Sequence, residues 1–388
     1  MDCILTINVG SSSLKFALFK ADKELQIICC GDLDNKHGTL SLSEGGGAPT
    51  VSKLEENLMN PLVLLDWIKN HYQQVVIKAI SHRLVHGGRD FLDPIKITKE
   101  ELVELKKLIP LAPLHMPEEI DFIEKIFGKY PTITQVACFD TSFHRKQPEI
   151  ATLFAIPKKY SDEGVIRYGF HGLSYEYSTS QLEALNDQRK RSKVVVAHLG
   201  NGASVCAIKD GKSIATSMGF TALDGLVMGT RCGQIDPGVI FFLIEEKGLS
   251  ANEVESMLYK KSGLLGVSGI TSDVKDLLAS ADPQARTAIE LFCYRAALEI
   301  GSMITALGGI QTFVFTGGIG EKAVAVRARI CDHLSWLGID IDQAKNQQNN
   351  AVITQDTSKV EVRIIPANEE LVMARHTLRI IYTNQNSL

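Results

Sequence analysis

The stretch Ile4-Leu-Thr-Ile-Asn8-Val-Gly10-Ser11-Ser12-Ser13-Leu14-Lys15-Phe16-Ala17-Leu18-Phe19 decides the fold. Its apolar opening reads as a buried strand, and the small hydroxyl residues on a glycine read as a tight turn. Beyond the turn the pattern alternates, with Leu14, Phe16 and Leu18 on one face and Lys15 and Ala17 on the other. Small residues let backbone N–H groups approach an anion, the hydroxyls add donors, and Lys15 brings a positive charge beside them. The form is that of a phosphate cradle. An ordinary polar hairpin turn would use the same residues.

The pattern recurs half a chain away in Lys193-Val-Val-Val-Ala197-His198-Leu199-Gly200-Asn201-Gly202-Ala203-Ser204-Val-Cys206-Ala207-Ile208. Aligning Gly10 with Gly200 sets Phe16-Ala17-Leu18 against Cys206-Ala207-Ile208, and a duplicated fold with a second phosphate loop is the simplest explanation. The chain has 388 residues, more than one core usually supports, so two domains are expected. A formal charge of −4 gives no global basic field, so neither a nucleic-acid nor an anionic-membrane partner is suggested, and any anion site must be local. The N-terminus enters the first strand without a basic or long apolar leader, and a cytoplasmic protein is the expectation. Ala288 to Leu307 is the most apolar long segment, but Glu290, Arg295 and Glu299 make it a buried amphipathic helix and not a membrane span. The eight cysteines include no C-x-x-C pair, and reduced core thiols are expected.

Between the two hairpins, strands are expected at Gln26 to Cys30, Gln74 to Ile80 and Thr132 to Phe139, with helices at Pro61 to Tyr72 and after Thr98, which forms a capping box with Glu101. Pro117 suits the first position of another helix. His82 and His86 are spaced i, i+4, but Arg83 stands where a zinc protease would carry glutamate, which argues against a metal. Asp140 follows an apolar strand, where open α/β sheets place ligand-binding groups, although an Asp there can merely cap a turn. Lys209-Asp210-Gly211-Lys212-Ser213 carries the letters of a P-loop ending without its first glycine, and Asp-Gly between strands reads as a hairpin.

Arg231 lies in a glycine-framed loop, so Asp224, Asp236 or a ligand anion must answer its charge. Ser250 with Glu253 forms a second capping box, Ser262 to Gly269 reads as a loop, and Asp273 caps the helix that follows. Thr312 to Thr316 is a strand running into Gly317-Gly318-Ile319-Gly320-Glu321-Lys322, which lacks the third glycine of a dinucleotide fingerprint but leaves another nucleotide turn open. Asn368-Glu369-Glu370-Leu371 starts a last helix, where the carboxylates either answer the helix dipole or ligate magnesium.

Together these segments resemble the acetokinase family, of the superfamily that includes sugar kinases, actin and the heat-shock chaperone ATPases. Asn8 to Lys15, Gly169-Phe170-His171-Gly172, His198 to Gly202, Met228-Gly-Thr-Arg231 and Asn368 to Leu371 match family signatures in the family's order. The resemblance implies an α/β chain of two duplicated actin-like, ribonuclease H-like domains with an interdomain cleft. One domain would be 1–142 plus 371–388, and the other 143–370, carrying the nucleotide site and a dimer interface. It implies reversible transfer of the ATP γ-phosphoryl group to acetate, giving acetyl phosphate and ADP, with magnesium (or manganese) at Asn8 and Glu369. Arg83, Asp140, His171 and Arg231 match catalytic positions. Arg83 with Val85, Leu114, Phe170 and Ala222 matches the acyl-binding positions. Ser13 and Lys15 match the first phosphate loop. His198, Leu199, Gly200, Asn201, Gly202, Asp273, Val274, Lys275, Gly318, Ile319, Gly320, Glu321 and Lys322 match nucleotide-contacting positions.

Chemistry agrees with these roles. Phosphoryl transfer needs positive groups around spreading charge, and a carboxylate acceptor is already a nucleophile, which leaves Asp140 as an orienting or metal-linked group and not a base. The departures cluster at the acyl pocket and nearby. Ala222 stands where many members carry proline, Leu173 and Tyr175 replace the usual Thr and His, Gln234 an acid, and Lys322 a frequent Asn. A smaller wall admits an extra methylene, so a propionate or other short-chain acyl kinase is the alternative. A non-enzymatic nucleotide switch is the second alternative, but it would not need Arg83, His171 and Arg231. The family's habit implies a homodimer.

Overall fold

Ile4 to Val9 does form a strand that turns back on itself, and the rest of the first unit is laid beside it. The computed structural model describes residues 1–10, 13–35, 37–54 and 56–383. Ser11 and Ser12, the tip of the first phosphate loop, lie outside the described residues. The chain divides into two units, Met1–Ser142 with Asn368–Leu388, and Phe143–Ala367. The return to the first unit therefore comes at Asn368, a few residues before the expected 371, because the whole of the last helix with its cap belongs there.

In the first unit the strands are β1 (Asp2–Gly10), β2 (Ser13–Lys20), β3 (Ile27–Asp34), β4 (Thr39–Glu44), β5 (Thr50–Lys53), β6 (Val76–Leu84), β7 (Ile95–Lys96) and β8 (Thr134–Phe139). They form one sheet in the order β5-β4-β3-β2-β1-β6-β8-β7. β1, β2 and β3 pair antiparallel, while β6 and β8 extend the sheet parallel to β1. Alternation sorts the side chains as expected. Leu5, Ile7, Leu14, Phe16 and Leu18 pack with Leu64, Leu65 and Ile68 of the helix Pro61–His71 and with Phe122 and Ile126 of the helix Met116–Lys129. Ile4, Ala17 and Phe19 face the other way, onto Leu371, Ala374 and Leu378 of the helix Glu369–Thr383. Burying apolar area on both faces of the sheet is what holds these layers together, at roughly 25 cal/mol per Å².

In the second unit the strands are β9 (Lys193–Leu199), β10 (Ala203–Lys209), β11 (Lys212–Thr216), β12 (Thr312–Thr316) and β13 (Glu361–Ile364), in the order β11-β10-β9-β12-β13. β9 to β11 are antiparallel, and β12 and β13 run parallel to β9. This is the plan of β3-β2-β1-β6-β8, so the duplication legible in the two hairpins extends through the sheets. Asp210 and Gly211 have φ of 48° and 78° and join Lys209 to Lys212 as a two-residue hairpin turn, not a phosphate loop. The helix Pro283–Leu307 buries Ala285, Ile289, Phe292, Ala296 and Ile300, and among the described residues no helix is long and apolar enough to cross a membrane.

Several local expectations shift. Ser262 to Gly269 is not a loop: Gly263–Ser268 is a short helix, fixed by fully buried Leu264 and ended by Gly269 at φ 66°. Pro117 occupies the second position of its helix, since Met116 begins it. Thr98 caps its helix by accepting the N–H of Glu101, whereas Ser250 and Glu253 complete the reciprocal box.

Candidate functional site

β6 runs four residues past its expected end, because His82 and Leu84 are buried and the pairing with β8 continues to Leu84. That extension places Arg83 on a strand. Its Nε donates to Asp140 Oδ1 at 2.9 Å, its Nη2 to Asp140 Oδ2 at 2.5 Å and its Nη1 to Asn8 Oδ1 at 3.0 Å, with Glu369 Oε2 at 3.7 Å from Nε. Asn8 shares its sheet face with Ile4, the face that the last helix covers, and so Glu369, first residue of that helix, arrives beside it. Lys15 sits opposite Asn8 in the β1–β2 ladder and reaches Asp32 at 3.7 Å. Burial lowers the Arg83 pKa but Asp140 and Glu369 raise it further, with a net rise, so Arg83 stays cationic. Burial lifts the Glu369 carboxyl to about 7, against the opposing pull of Arg83. Asn368 accepts the N–H of Leu371 at 3.0 Å and caps the helix, leaving Glu369 free of that task. The bidentate fork pins the guanidinium plane.

In the second unit His171 ends the Gly169–His171 turn in a left-handed conformation, φ 58°, directly before the helix Gly172–Glu183. Its ring stacks on His198 with centroids 4.3 Å apart, its Nδ1 lies 2.8 Å from Ser204 Oγ, and His198 Nδ1 lies 2.8 Å from Ser174 Oγ. Ser204 is also bonded to Tyr175, one of the two departures after Gly172. His171 Nε2 points at Gly202, where a Cβ would come within 3.3 Å of it and within 3.9 Å of Arg231 Nη1. Arg231 donates to the Ala222 carbonyl at 2.8 Å. Asp224 bonds Arg167 at 2.9 Å, and Asp236 caps the helix Pro237–Glu245. A side chain at Gly202 would crowd His171, so glycine lets the hairpin come this close to the two basic groups.

The nucleotide-matching segments also meet. His198 pairs with Thr316 across β9 and β12, so Leu199–Gly202 and Gly317–Lys322 leave neighbouring parallel strands at the same end, and a Cβ on Gly317 (φ 77°) would lie 2.8 Å from the Leu199 carbonyl. A Cβ on Gly229 would lie 2.2 Å from Asn201 Oδ1 and 3.4 Å from Ser272 Cβ, which brings Asp273 near; Asp273 accepts the Lys275 N–H at 2.7 Å as the cap of the helix Val274–Ala279. Crevices beyond the carboxyl ends of parallel strands are where α/β sheets bind ligands. Ser13 opens β2, Val85 follows β6 and is buried, Phe170 is buried, and Leu114 is among the exposed large apolar residues.

Three residues were not legible. Arg327 is fully buried and gives its donors to Gly320 and Glu321 carbonyls at 2.9 and 2.8 Å, to Asn346 Oδ1 and O at 2.8 and 3.0 Å, and to Asn349 Oδ1 at 2.6 Å. Burial lowers its pKa to about 10. His144 bonds the Phe170 carbonyl and Ser213 Oγ, each at 2.9 Å, and so holds the peptide that leads into His171. Glu119 is buried and accepts the Val85 N–H at 3.1 Å. One signal was available for Glu119: it lies on the i, i+3, i+4 stripe with Met116, Ile120 and Ile123, where an acid is out of place. His82, bonded to Gln135 at 2.8 Å, and His86, which accepts the Gly88 N–H at 2.8 Å, serve the local structure.

Two sheets of one plan, each opening on a glycine hairpin with basic side chains beside it, have the actin-like fold that kinases share. The chain belongs to the acetokinase family, whose sequence model matches residues 3–375. It is 46% identical over 391 residues to the acetate kinase of Rhodopseudomonas palustris strain TIE-1, covering 98% of both chains. Among solved structures it is similar to a propionate kinase from Francisella tularensis, with a TM-score of 0.88 and 38% identity over 97% of this chain and 99% of that one. It is also similar to the acetate kinase of Porphyromonas gingivalis, with a TM-score of 0.85 and 35% identity over 98% and 100%.

Proposed function

We propose that this chain transfers the γ-phosphoryl group of ATP reversibly to acetate, giving acetyl phosphate and ADP. The observation that carries this reading is the close approach of the second glycine hairpin, at Gly202, to His171 Nε2 and Arg231 Nη1, which gathers two basic groups beside that turn. Spreading negative charge on a transferring phosphoryl group is stabilised by such preorganised donors. Arg83 and Arg231 hold the carboxylate and the phosphoryl oxygens, His171 answers equatorial charge, and Asp140 fixes the Arg83 fork. Val85 and Leu114 of the first unit, and Phe170 and Ala222 of the second, are the residues assigned to the acyl group. Ser13 and Lys15 attend the phosphates, and the segments at His198–Gly202, Asp273–Lys275 and Gly318–Lys322 hold the nucleotide.

Among the described residues no group of three or more His, Cys, Asp or Glu could hold a metal. Magnesium in phosphoryl-transfer sites asks for less, one or two protein oxygens plus waters and phosphates. Asn8 and Glu369 supply two oxygen ligands of the right hardness beside Arg83, and a cation would relieve the reluctance of Glu369 to ionise. When bound, the ion supplies charge neutralisation on the phosphates.

The partner reading is a homodimer formed through the second unit. Its support is the helix Pro237–Glu245, which carries Val239, Ile240, Phe241, Phe242, Leu243 and Ile244 and buries no residue within the chain. Eight free cysteines, burial pushing several thiols upward, suit a cytoplasmic protein.

The test is acyl-phosphate formation, trapped with hydroxylamine, from ATP and magnesium with acetate, propionate, butyrate or no acid. Acetate is expected to give the highest rate. Equal or faster propionate turnover would move the assignment to a propionate kinase and point to Ala222. ATP binding with no acyl phosphate from any acid would overturn the reading in favour of a nucleotide switch.

A further inference from the structure

β6 ends at Leu84, whose carbonyl accepts the N–H of Asp140 at 3.0 Å. The next N–H, that of Val85, finds the carboxylate of Glu119 at 3.1 Å. A buried amide must be paired, and a carboxylate is an expensive partner because it loses its hydration when ionised. A neutral amide side chain would accept the same bond; the acid adds a charge. The charged groups that face it are Arg83 from β6, Asp140 from the end of β8 and Glu118 on its own helix. The two residues it bears upon, Arg83 and Val85, are the carboxylate-holding arginine and the first wall of the acyl pocket.

We propose that Glu119 is a positioning residue for the acyl substrate, fixing Val85 through its amide and tuning the anion affinity of Arg83 through its charge. The inference rests on the phosphoryl-transfer reading above. Burial lifts the Glu119 carboxyl to about 8, against the smaller pulls of the Val85 amide and Arg83, so it is mostly neutral at pH 7 and charged at pH 9. Ionised Glu119 weakens the field that Arg83 offers an incoming carboxylate. Acetate is fully ionised across this range, and ATP nearly so.

Steady-state kinetics of the full chain and of Glu119→Gln and Glu119→Met, from pH 7 to 9, test this. The wild-type KM for acetate is expected to rise about fivefold to tenfold over that range, with the KM for ATP constant within about twofold. Glu369, which burial lifts to about 7 beside Arg83, adds its own rise in every variant, so Glu119→Gln is expected to keep the pH 7 KM and to lessen the rise. Glu119→Met, which leaves the Val85 amide without an acceptor, is expected to raise the acetate KM about tenfold at pH 7 and to shift the acetate-to-propionate ratio. Should Glu119→Met fail to fold, the comparison of wild type with Glu119→Gln decides alone. A Glu119→Gln enzyme that keeps the wild-type rise, or a folded Glu119→Met enzyme whose ATP and acetate KM values move together, overturns this inference. A wild type that makes no acyl phosphate overturns the reading beneath it instead.

Discussion

Arg83 is worth more than its charge, because its plane is set by two bonds to Asp140 and a third to Asn8. Lysine cannot reproduce that fork. Arg83→Ala is expected to cut kcat by about 10²- to 10³-fold, and Arg83→Lys to recover little of it. Near-normal turnover of Arg83→Ala would remove Arg83 from the reaction, and near-normal turnover of Arg83→Lys would show that charge without the fork suffices. Arg231, whose Nη1 faces Gly202, is expected to behave alike on alanine substitution.

Three buried groups near Arg83 also write a pH signature into stability. His82 is held down to about 4 by burial, so the fold binds it neutral, and stability falls as pH drops from about 6.5 towards 4. Glu119 is held up at about 8 and Glu369 at about 7, both by burial, so the folded chain binds more protons than the unfolded one above the ordinary carboxylate range. Each therefore contributes a loss of stability as pH rises from about 4.5 to its folded pKa. Between pH 7 and 8 both carboxyls titrate, but the folded chain holds more of its extra proton on Glu119 than on Glu369, so Glu119 has the larger effect on stability there. Glu119→Gln should gain on wild type by up to about 1 kcal/mol across that single unit, read by chemical denaturation at each pH. A constant difference between the two proteins would show that Glu119 is ionised throughout.

At the scale of elements, the helical turn Gly317–Lys322, proposed above to hold nucleotide, is held from behind by Arg327. Its donors meet two carbonyls of that turn and the Asn346 and Asn349 groups that follow. Arg327→Met is of similar length and strips all of these bonds, leaving buried acceptors unpaired. We expect a loss of about 3 kcal/mol in unfolding free energy and a weaker ADP complex by titration calorimetry, with the acetate KM less affected. Unchanged ADP affinity in a folded variant would confine Arg327 to stability.

The contrast between Arg327 and Asn8 shows what was legible. Asn8, Lys15, Gly200 and Gly202 lie inside hairpins whose period-2 pattern and glycine turns announce them within a few residues. The meeting of Arg83 with Asp140, or of Glu369 with Asn8, depends on strand order and on a helix arriving from the other end of the chain; only the family resemblance suggested those partners. Arg327, His144 and Glu119 carried no such motif, since a buried charge is invisible until its neighbours are known. Where Ser262 to Gly269 read as a loop, the bracketing glycines outweighed the pull of Leu264 into the core, and tertiary burial won.

At the scale of the whole molecule, the helix Pro237–Glu245 poses a problem that one chain leaves unsolved. Among its nine residues, Val-Ile-Phe-Phe-Leu-Ile runs unbroken from 239 to 244, yet none is buried, and Phe241 and Phe242 are 58% and 50% exposed. A soluble monomer rarely shows water an apolar patch of this kind, and each large side chain covered by a partner gains roughly 1.5–3 kcal/mol. A homodimer of twofold symmetry would cover the same helix on both copies with one self-complementary contact. Phe241→Asp with Phe242→Asp places charge in the middle of that contact, at a position where the isolated chain buries nothing and loses no packing. Light scattering after size exclusion is expected to give twice the chain mass for wild type and the single-chain mass for the double variant, with the far-ultraviolet circular dichroism of the two alike. If the double variant keeps the dimer mass, the contact lies elsewhere, and the exposed Tyr294 and Leu298 on the helix Pro283–Leu307 become the next apolar side chains to charge.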